Sequence, residues 1–353
     1  MIKYLGSKRR LVPVLGEICA ASGARTALDL FTGTTRVAQE FKRRGAYVTA
    51  VDTARYAEVF SQCYVALDGD TADRAAIQSA IDDLHARPGV DGYFTETFCM
   101  RSRFFQPHNG RRVDAMRDAI ERDYRTSWLY PVLLTSLIEA ADRVDSTTGV
   151  QMAYVKQWAP RSHRDIELRV PDLVAGCGSA VRADARDVAR SLGPFDIAYL
   201  DPPYNQHRYF TNYHVWETLV AWDAPAHYGV ACKRVDARDD PATKSVFNER
   251  RAMPDALAQI IRDVDAELVV VSYNDESWVS KHQLEMMCAE RGGEIATFAF
   301  DSKRYVGAQI GIHNPQGEKV GEVARLRNVE YVVCVGEARA VEGLCKSRAM
   351  SHS

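Results

Sequence analysis

The stretch Phe195-Asp-Ile-Ala-Tyr-Leu-Asp-Pro-Pro-Tyr204 decides the fold of this chain. Ile197 to Leu200 is an apolar run of the kind that fills a central parallel strand, buried on both faces. Two prolines follow, each fixing φ and removing a backbone donor, so the chain must leave the sheet at Asp201. Pro202 and Pro203 therefore make a rigid turn that carries the Asp201 carboxylate, carbonyls with no competing N–H, and the flat ring of Tyr204. A carboxylate acceptor, a carbonyl acceptor and a stacking ring suit a planar group with two N–H donors, such as the exocyclic amine of a nucleobase. The competing reading of so short a motif is an ordinary strand end with a Pro-rich turn.

Upstream, Ala27-Leu-Asp-Leu-Phe31 reads as a short strand. Thr32-Gly-Thr-Thr35 follows, then a helical pattern from Arg36 to Arg44 with Val37, Ala38 and Phe41 on one side. Gly45 stops that helix, and Tyr47-Val-Thr-Ala-Val51 is a second strand ending at Asp52. This βαβ unit demands a parallel sheet. Gly33 lets the backbone pass close to a ligand at a helix N-terminus, and Asp52 stands where a carboxylate accepts hydrogen bonds from ribose hydroxyls. Thr35 and Ala38 occupy the later positions of a Gly-x-Gly-x-x-Gly pattern, which disfavours a pyrophosphate cofactor and leaves a nucleoside without phosphates. On spacing alone, Asp52 is equally an ordinary turn carboxylate.

From about Ala54 to Pro171 the pattern is mostly helical, with amphipathic segments near Thr71 to Ala86, Arg111 to Tyr124 and Ser127 to Val144, too long for a connection. Strands resume at Ala180 to Arg182 before Asp184, at Ile197 to Leu200 and at Glu267 to Ser272. Ile295 to Phe300 and Val329 to Val335 form a final antiparallel pair. The expected fold is α/β, Rossmann-like, with a mixed, mainly parallel sheet, an antiparallel edge and a helical insertion. Residues 1–60 and 177–345 would form the catalytic domain, 61–176 the insertion, a candidate DNA-contacting subdomain, and 346–353 a disordered tail. Asn205 to Arg251, rich in aromatic and charged residues with little periodicity, reads as a mobile loop system.

At 353 residues with a formal net charge of -2, the chain has no global basic field, so a nucleic-acid surface must be a local patch. Its eight cysteines form no Cys-x-x-Cys pair and lack histidines at zinc spacing, which argues against a metal and for a reduced, intracellular protein. No signal-peptide core and no run of membrane-spanning length is present, so the expectation is a soluble, cytoplasmic protein without a membrane partner.

Five segments together resemble the DNA adenine-N6 methyltransferases of the alpha group, the class of Dam-like methylases and of the modification enzymes of type IIS restriction systems. They are Lys3-Tyr-Leu-Gly-Ser-Lys-Arg-Arg-Leu11, Asp29-Leu-Phe-Thr-Gly-Thr-Thr-Arg-Val37, Asp52, Asp201-Pro-Pro-Tyr204 with its extension to Glu217, and Ser272-Tyr-Asn274. The resemblance implies S-adenosylmethionine as cofactor, with Tyr4, Gly6 and Lys8 at its methionine moiety, Asp29, Phe31 and Gly33 lining the site, Asp52 at the ribose, Asp184 at the adenine ring, and Asp201 beside the reacting methyl. It further implies double-stranded DNA as substrate, a bacterial, nucleoid-associated setting, and a cognate restriction endonuclease. Thr35 breaks the family's Phe-x-Gly-x-Gly pattern, so its backbone must take a φ that threonine tolerates.

The chemistry follows from the acceptors. Adenine's amino nitrogen is a poor nucleophile because its lone pair is delocalised, and accepting both N–H bonds at Asp201 and the Pro202 carbonyl makes it more nucleophilic. Such a base must leave the duplex, with Tyr204 stacking on it. Phosphate contacts are sought in Arg101, Arg103, Arg111 and Arg112, in Lys233, Arg234, Arg250 and Arg251, and in Lys303, Arg304, Arg325 and Arg327. Cytosine-N4 or RNA amino groups remain alternative substrates, and a catalytically silent DNA-binding module remains an alternative class.

Overall fold

The computed structural model describes residues 2–6, 8–152, 154, 157–203, 206, 208–303, 312–313, 319–321 and 327–341, without side chains for 301–303, 312–313, 319–321 and 327. Its longer strands are Thr26–Asp29 (β1), Tyr47–Asp52 (β2), Gly178–Arg182 (β3), Phe195–Leu200 (β4), Ala266–Asn274 (β5), Glu294–Lys303 (β6) and Arg327–Gly336 (β7). The chain divides into two compact units. The first comprises Met1–Tyr4, Thr32–Asp184 and His207–Ser245, and the second Leu5–Phe31, Ala185–Gln206 and Val246–Ser353.

The second unit is built on strands in the order β1-β4-β5-β7-β6. β1 and β4 are parallel, with Asp29 opposite Tyr199, and β4 and β5 are parallel, with Leu200 opposite Val271. β7 runs antiparallel to both β5 and β6, which makes the expected antiparallel edge. Leu268 to Val271 and Ile197 to Leu200 are all buried, consistent with strands covered on both faces. The helix Met253–Asp263 supplies cover by burying Met253, Ala256, Leu257, Ile260 and Ile261, one stripe at helical spacing. The helix Lys281–Arg291 starts at a capping box, in which Ser280 and Gln283 satisfy each other's backbone donors.

In the first unit β2 and β3 pair in parallel, with Asp52 opposite Arg182. Between Asp52 and Gly178 the described residues form helices and one isolated bridge, Thr147 to Tyr154, as the helical reading expects. Those helices fall in the same unit as β2 and β3. Arg117 shows how this unit is tied. The side chain is fully buried on the helix Pro107–Tyr124, pairs with Glu121 at 2.8 Å, and donates to the carbonyls of Leu219 at 2.7 Å and Val220 at 3.0 Å. Those carbonyls end the helix His214–Ala221, where backbone acceptors lack intrahelical partners.

That last helix corrects the expectation of a mobile loop system after Asn205. His214 through Leu219 are buried without a break. A helix buried all round carries no amphipathic period, so its sequence looked irregular. A short antiparallel hairpin, His227–Tyr228 with Lys233–Arg234, follows it. No described helix is long and apolar enough to cross a membrane.

Candidate active site

Two clusters collect most of the candidate residues, one in each unit. In the second, Asp201 stands one residue beyond β4, at the carboxyl end of a parallel strand where open α/β sheets place their ligands. Pro202 is buried and Pro203 half-buried beside it. Lys8 reaches Asp201 Oδ1 at 3.0 Å, with the lysine side chain 5% exposed and the aspartate 18%. Ser272 Oγ donates to the same oxygen at 3.1 Å. Burial pushes the Asp201 carboxyl above the usual carboxylate range, while the Lys8 ammonium and the Ser272 hydroxyl pull it back. Asp29 is buried on β1, and Phe31 packs edge to face on Phe247 with centroids 5.1 Å apart. Gly6, at φ 75°, turns the chain between Tyr4 and Lys8. Tyr204 lies outside the described residues.

In the first unit Asp52 ends β2, and its carboxylate accepts from Gly33 N at 2.9 Å and from Ala54 N at 3.0 Å. Ribose hydroxyls would be further donors to this carboxylate, beside the backbone of Gly33, Thr53 and Ala54. Burial raises the Asp52 carboxyl, and the backbone donors around it oppose the rise. Asp184 lies just past the neighbouring strand β3, where Ala183 N donates to the Asp52 carbonyl at 3.1 Å.

Tyr4 closes this cluster. Gly33 has φ +51°, and a Cβ there would meet the Tyr4 ring at 3.2 Å, tighter than ordinary contact, so the position favours glycine. Tyr4 also stacks on Tyr213, with centroids 4.7 Å apart, and on Tyr209 at 5.3 Å, and its hydroxyl lies 3.2 Å from that of Tyr56. A glycine passed closely by a ring, with a carboxylate at the end of the next strand, fits a nucleoside-bearing cofactor without phosphates.

Thr35 adopts φ 62° and ψ 14°, a left-handed conformation unusual for a β-branched residue, at the start of the helix Arg36–Arg43. It is fully buried. Its hydroxyl donates to the Thr34 carbonyl at 2.7 Å and accepts from Gln39 Nε2 at 2.8 Å. Thr35 thus sits in a left-handed conformation with its hydroxyl bonded to the Thr34 carbonyl and to Gln39.

The basic residues divide. Arg234 departs from the expectation of a phosphate contact: it is buried, forked onto Asp223 at 2.7 Å and Asp236 at 2.7 Å, because two carboxylates inside the unit compensate its charge. Arg112 donates to the carbonyls of Arg87 and His85 near the end of the helix Arg74–Ala86, and Arg111 pairs with Asp91 at 2.8 Å. Lys233 lies over the Tyr228 ring at 5.7 Å. Lys303 ends β6, its side chain is not among those described, and Arg304 lies outside the described residues.

Tyr56 and Tyr199 escaped the sequence reading, and Ser272 entered it only as part of a motif. The signals available were spacing from Asp52 for Tyr56 and adjacency to the Asp201 strand for Tyr199, neither of which distinguishes an ordinary core tyrosine.

Parallel strands ending in Asp52 and Asp201, a glycine pressed by an aromatic ring, and a lysine-held carboxylate before two prolines define an amino-group methyltransferase. Residues 4–287 match the model of the D12 class N6 adenine-specific DNA methyltransferases, and the chain belongs to that family. It is 29% identical over 320 residues to the type II methyltransferase M.NlaIII of Neisseria lactamica, covering 86% of this chain and 92% of that protein. It is 26% identical to the modification methylase StsI of Streptococcus sanguinis and 25% identical to the type II methyltransferase M.FokI of Planomicrobium okeanokoites, covering 82% of this chain in each case. The matches span 46% and 47% of those two proteins, about half their length. Site-specific methylation of adenine N6 in DNA is the activity that family and relatives support.

Proposed function

We propose that this chain transfers a methyl group from S-adenosylmethionine to the N6 amino group of an adenine flipped from duplex DNA, with Asp201 and the Pro202 carbonyl accepting the two amino protons. The observation that carries this reading is the Asp201 carboxylate, held at the end of β4 by Lys8 at 3.0 Å. When bound, the cofactor supplies an electrophilic sulfonium methyl that the amino nitrogen's lone pair takes, the sulfur keeping the electron pair of the broken S–C bond. Asp52 accepts from the ribose hydroxyls, Tyr4, Gly6 and Lys8 contact the methionine portion, Asp29, Phe31 and Gly33 line the site, and Asp184 faces the adenine. Tyr204 stacks on the flipped base. One N6 proton must leave the nitrogen, and Asp201, already accepting one of the amino hydrogens in this reading, would receive it.

The enzyme would act on bacterial DNA in the cytoplasm, at the nucleoid, as the protecting partner of a cognate restriction endonuclease. The test uses tritiated S-adenosylmethionine and unmethylated DNA, followed by digestion to nucleosides. Label should appear in N6-methyladenine, and Asp201→Asn should lower the rate about a thousandfold by removing the charged acceptor while leaving cofactor binding within a few-fold. Label in N4-methylcytosine, or transfer to RNA in competition with DNA, would replace the substrate in this reading.

A further inference from the structure

The Ser272-Tyr-Asn274 motif has no role in the chemistry above, yet it ends β5 directly beside the catalytic turn. Leu200 pairs with Val271, so the next residues along the two parallel strands, Asp201 and Ser272, are neighbours. Ser272 is fully buried and donates to Asp201 Oδ1 at 3.1 Å. Behind it stands Tyr199, 1% exposed, whose hydroxyl lies 2.7 Å from Ser272 Oγ. Tyr199 lies on β4 two residues before Asp201, which follows the end of that strand. Lys8 meets the same Asp201 oxygen from the N-terminal segment.

Two donors on one oxygen make the two carboxylate oxygens unequal. A serine hydroxyl has one proton, and a Tyr199 hydroxyl that donates to Ser272 Oγ obliges that proton to point at Asp201. We propose that Ser272, oriented by Tyr199, is a positioning residue which together with Lys8 saturates Oδ1 and so turns Oδ2 of Asp201 toward the target amine. The inference rests on the adenine-methylation reading, since it names what aims that reading's acceptor.

The charged and titratable groups around Asp201 and Tyr199 set the pH consequence. Lys8 faces Asp201 from the N-terminal segment, Glu330 from β7, Tyr199 from β4, and Asp29 faces Tyr199 from β1. Glu330 lies opposite Asn274, on the strand next to β5, and disfavours the carboxylate, whereas Lys8 and Ser272 favour it. Removing the Ser272 hydroxyl deletes one of the two favouring groups, so the acid limb of the rate profile must move to higher pH.

The experiment measures kcat, the KM for S-adenosylmethionine, and the pH profile of kcat/KM for DNA at saturating cofactor. Ser272→Ala should lower kcat about tenfold to a hundredfold, the range for a lost bond to a charged group, with cofactor KM changed less than threefold and the acid limb displaced upward. Ser272→Thr, which keeps the hydroxyl, should restore the wild-type acid limb. Tyr199→Phe keeps the buried ring, so it tests the inference even where Ser272→Ala folds poorly. It should show the same changes more weakly, and the double variant should be no slower than Ser272→Ala, because the tyrosine acts through the serine. A wild-type acid limb and kcat in both Ser272→Ala and Tyr199→Phe, with Asp201→Asn inactive, would overturn this inference alone. An active Asp201→Asn would instead remove the reading beneath it.

Discussion

Asp201 and Thr35 show how much single side chains carry here. Asp201 is a half-buried carboxylate kept within reach of ionisation by Lys8 and Ser272. Thr35 is the opposite case, a side chain that stabilises a backbone conformation its own Cβ disfavours. The left-handed region costs a non-glycine residue about 1–2 kcal/mol, and the bonds to Thr34 and Gln39 offset that cost. Thr35→Gly should therefore be close to neutral in thermal unfolding, exchanging strain for lost hydrogen bonds. Thr35→Val keeps the strain and loses the hydroxyl, so it should destabilise by about 2 kcal/mol. A calorimetric series on wild type and the two variants checks the ordering, and a Thr35→Val melting temperature equal to wild type would show that the hydroxyl contributes nothing.

At the scale of elements, the N-terminal segment that carries Tyr4 is anchored by an ionic cluster. Lys3 pairs with Asp142 at 2.9 Å and with Asp145 at 3.2 Å, and Arg161 holds Asp145 from the other side at 2.7 Å. Asp142, on the helix Leu129–Val144, is pushed up to about 6 by burial, against the pull of Lys3. Lys3→Ala leaves two buried carboxylates facing each other and frees the residue next to Tyr4. The dissociation constant for S-adenosylmethionine should rise about tenfold, the equivalent of one charge-assisted bond, as calorimetric titration would show.

The helix His214–Ala221 offers a pH test. Its Glu217 is buried, accepts from Tyr56 N at 3.4 Å and lies 3.5 Å from Arg55; burial raises its carboxyl from 4.5 to about 7, with Arg55 opposing. A carboxyl with a raised folded-state value binds its proton more tightly folded than unfolded. Its contribution to stability is present below 4.5 and is lost as pH rises through about 7. Glu217→Gln cannot undergo that loss. The melting temperature of the variant relative to wild type should climb across this window, and a difference independent of pH would show that Glu217 does not titrate there.

For the whole molecule, the charge balance sets how DNA is held. A net charge of -2 gives no long-range attraction to DNA, so affinity must come from cations that are not already compensated. Arg234 and Arg112 are engaged inside their unit. Arg250 and Arg251 are exposed, in the turn before the helix Met253–Asp263, with no ion pair among the described residues. Replacing both with alanine should weaken DNA binding at all sequences alike and reduce the slope of log affinity against log salt by about two, near 0.9 for each phosphate contact. An unchanged slope in fluorescence anisotropy would move the phosphate contacts elsewhere. A change confined to one sequence would make these arginines base readers instead.

The division between sequence and tertiary structure follows the range of the interactions. Local order was sufficient for the parallel strands, because Ile197 to Leu200 and Leu268 to Val271 are apolar runs that only a covered sheet accommodates, and for the turn at Asp201, because proline removes the alternatives. One βαβ unit brings Asp52 and Gly33 into hydrogen-bond contact, although spacing alone left Asp52 equally an ordinary turn carboxylate. Contacts between residues distant in the chain were decided by the fold. Nothing local marks the helix His214–Ala221, since complete burial erases its period. The buried state of Arg234 depends on where Asp223 and Asp236 come to rest. The convergence of Lys8, Tyr199 and Ser272 on Asp201 arises because strand register, a long-range property, sets Ser272 beside a carboxylate 71 residues earlier in the chain.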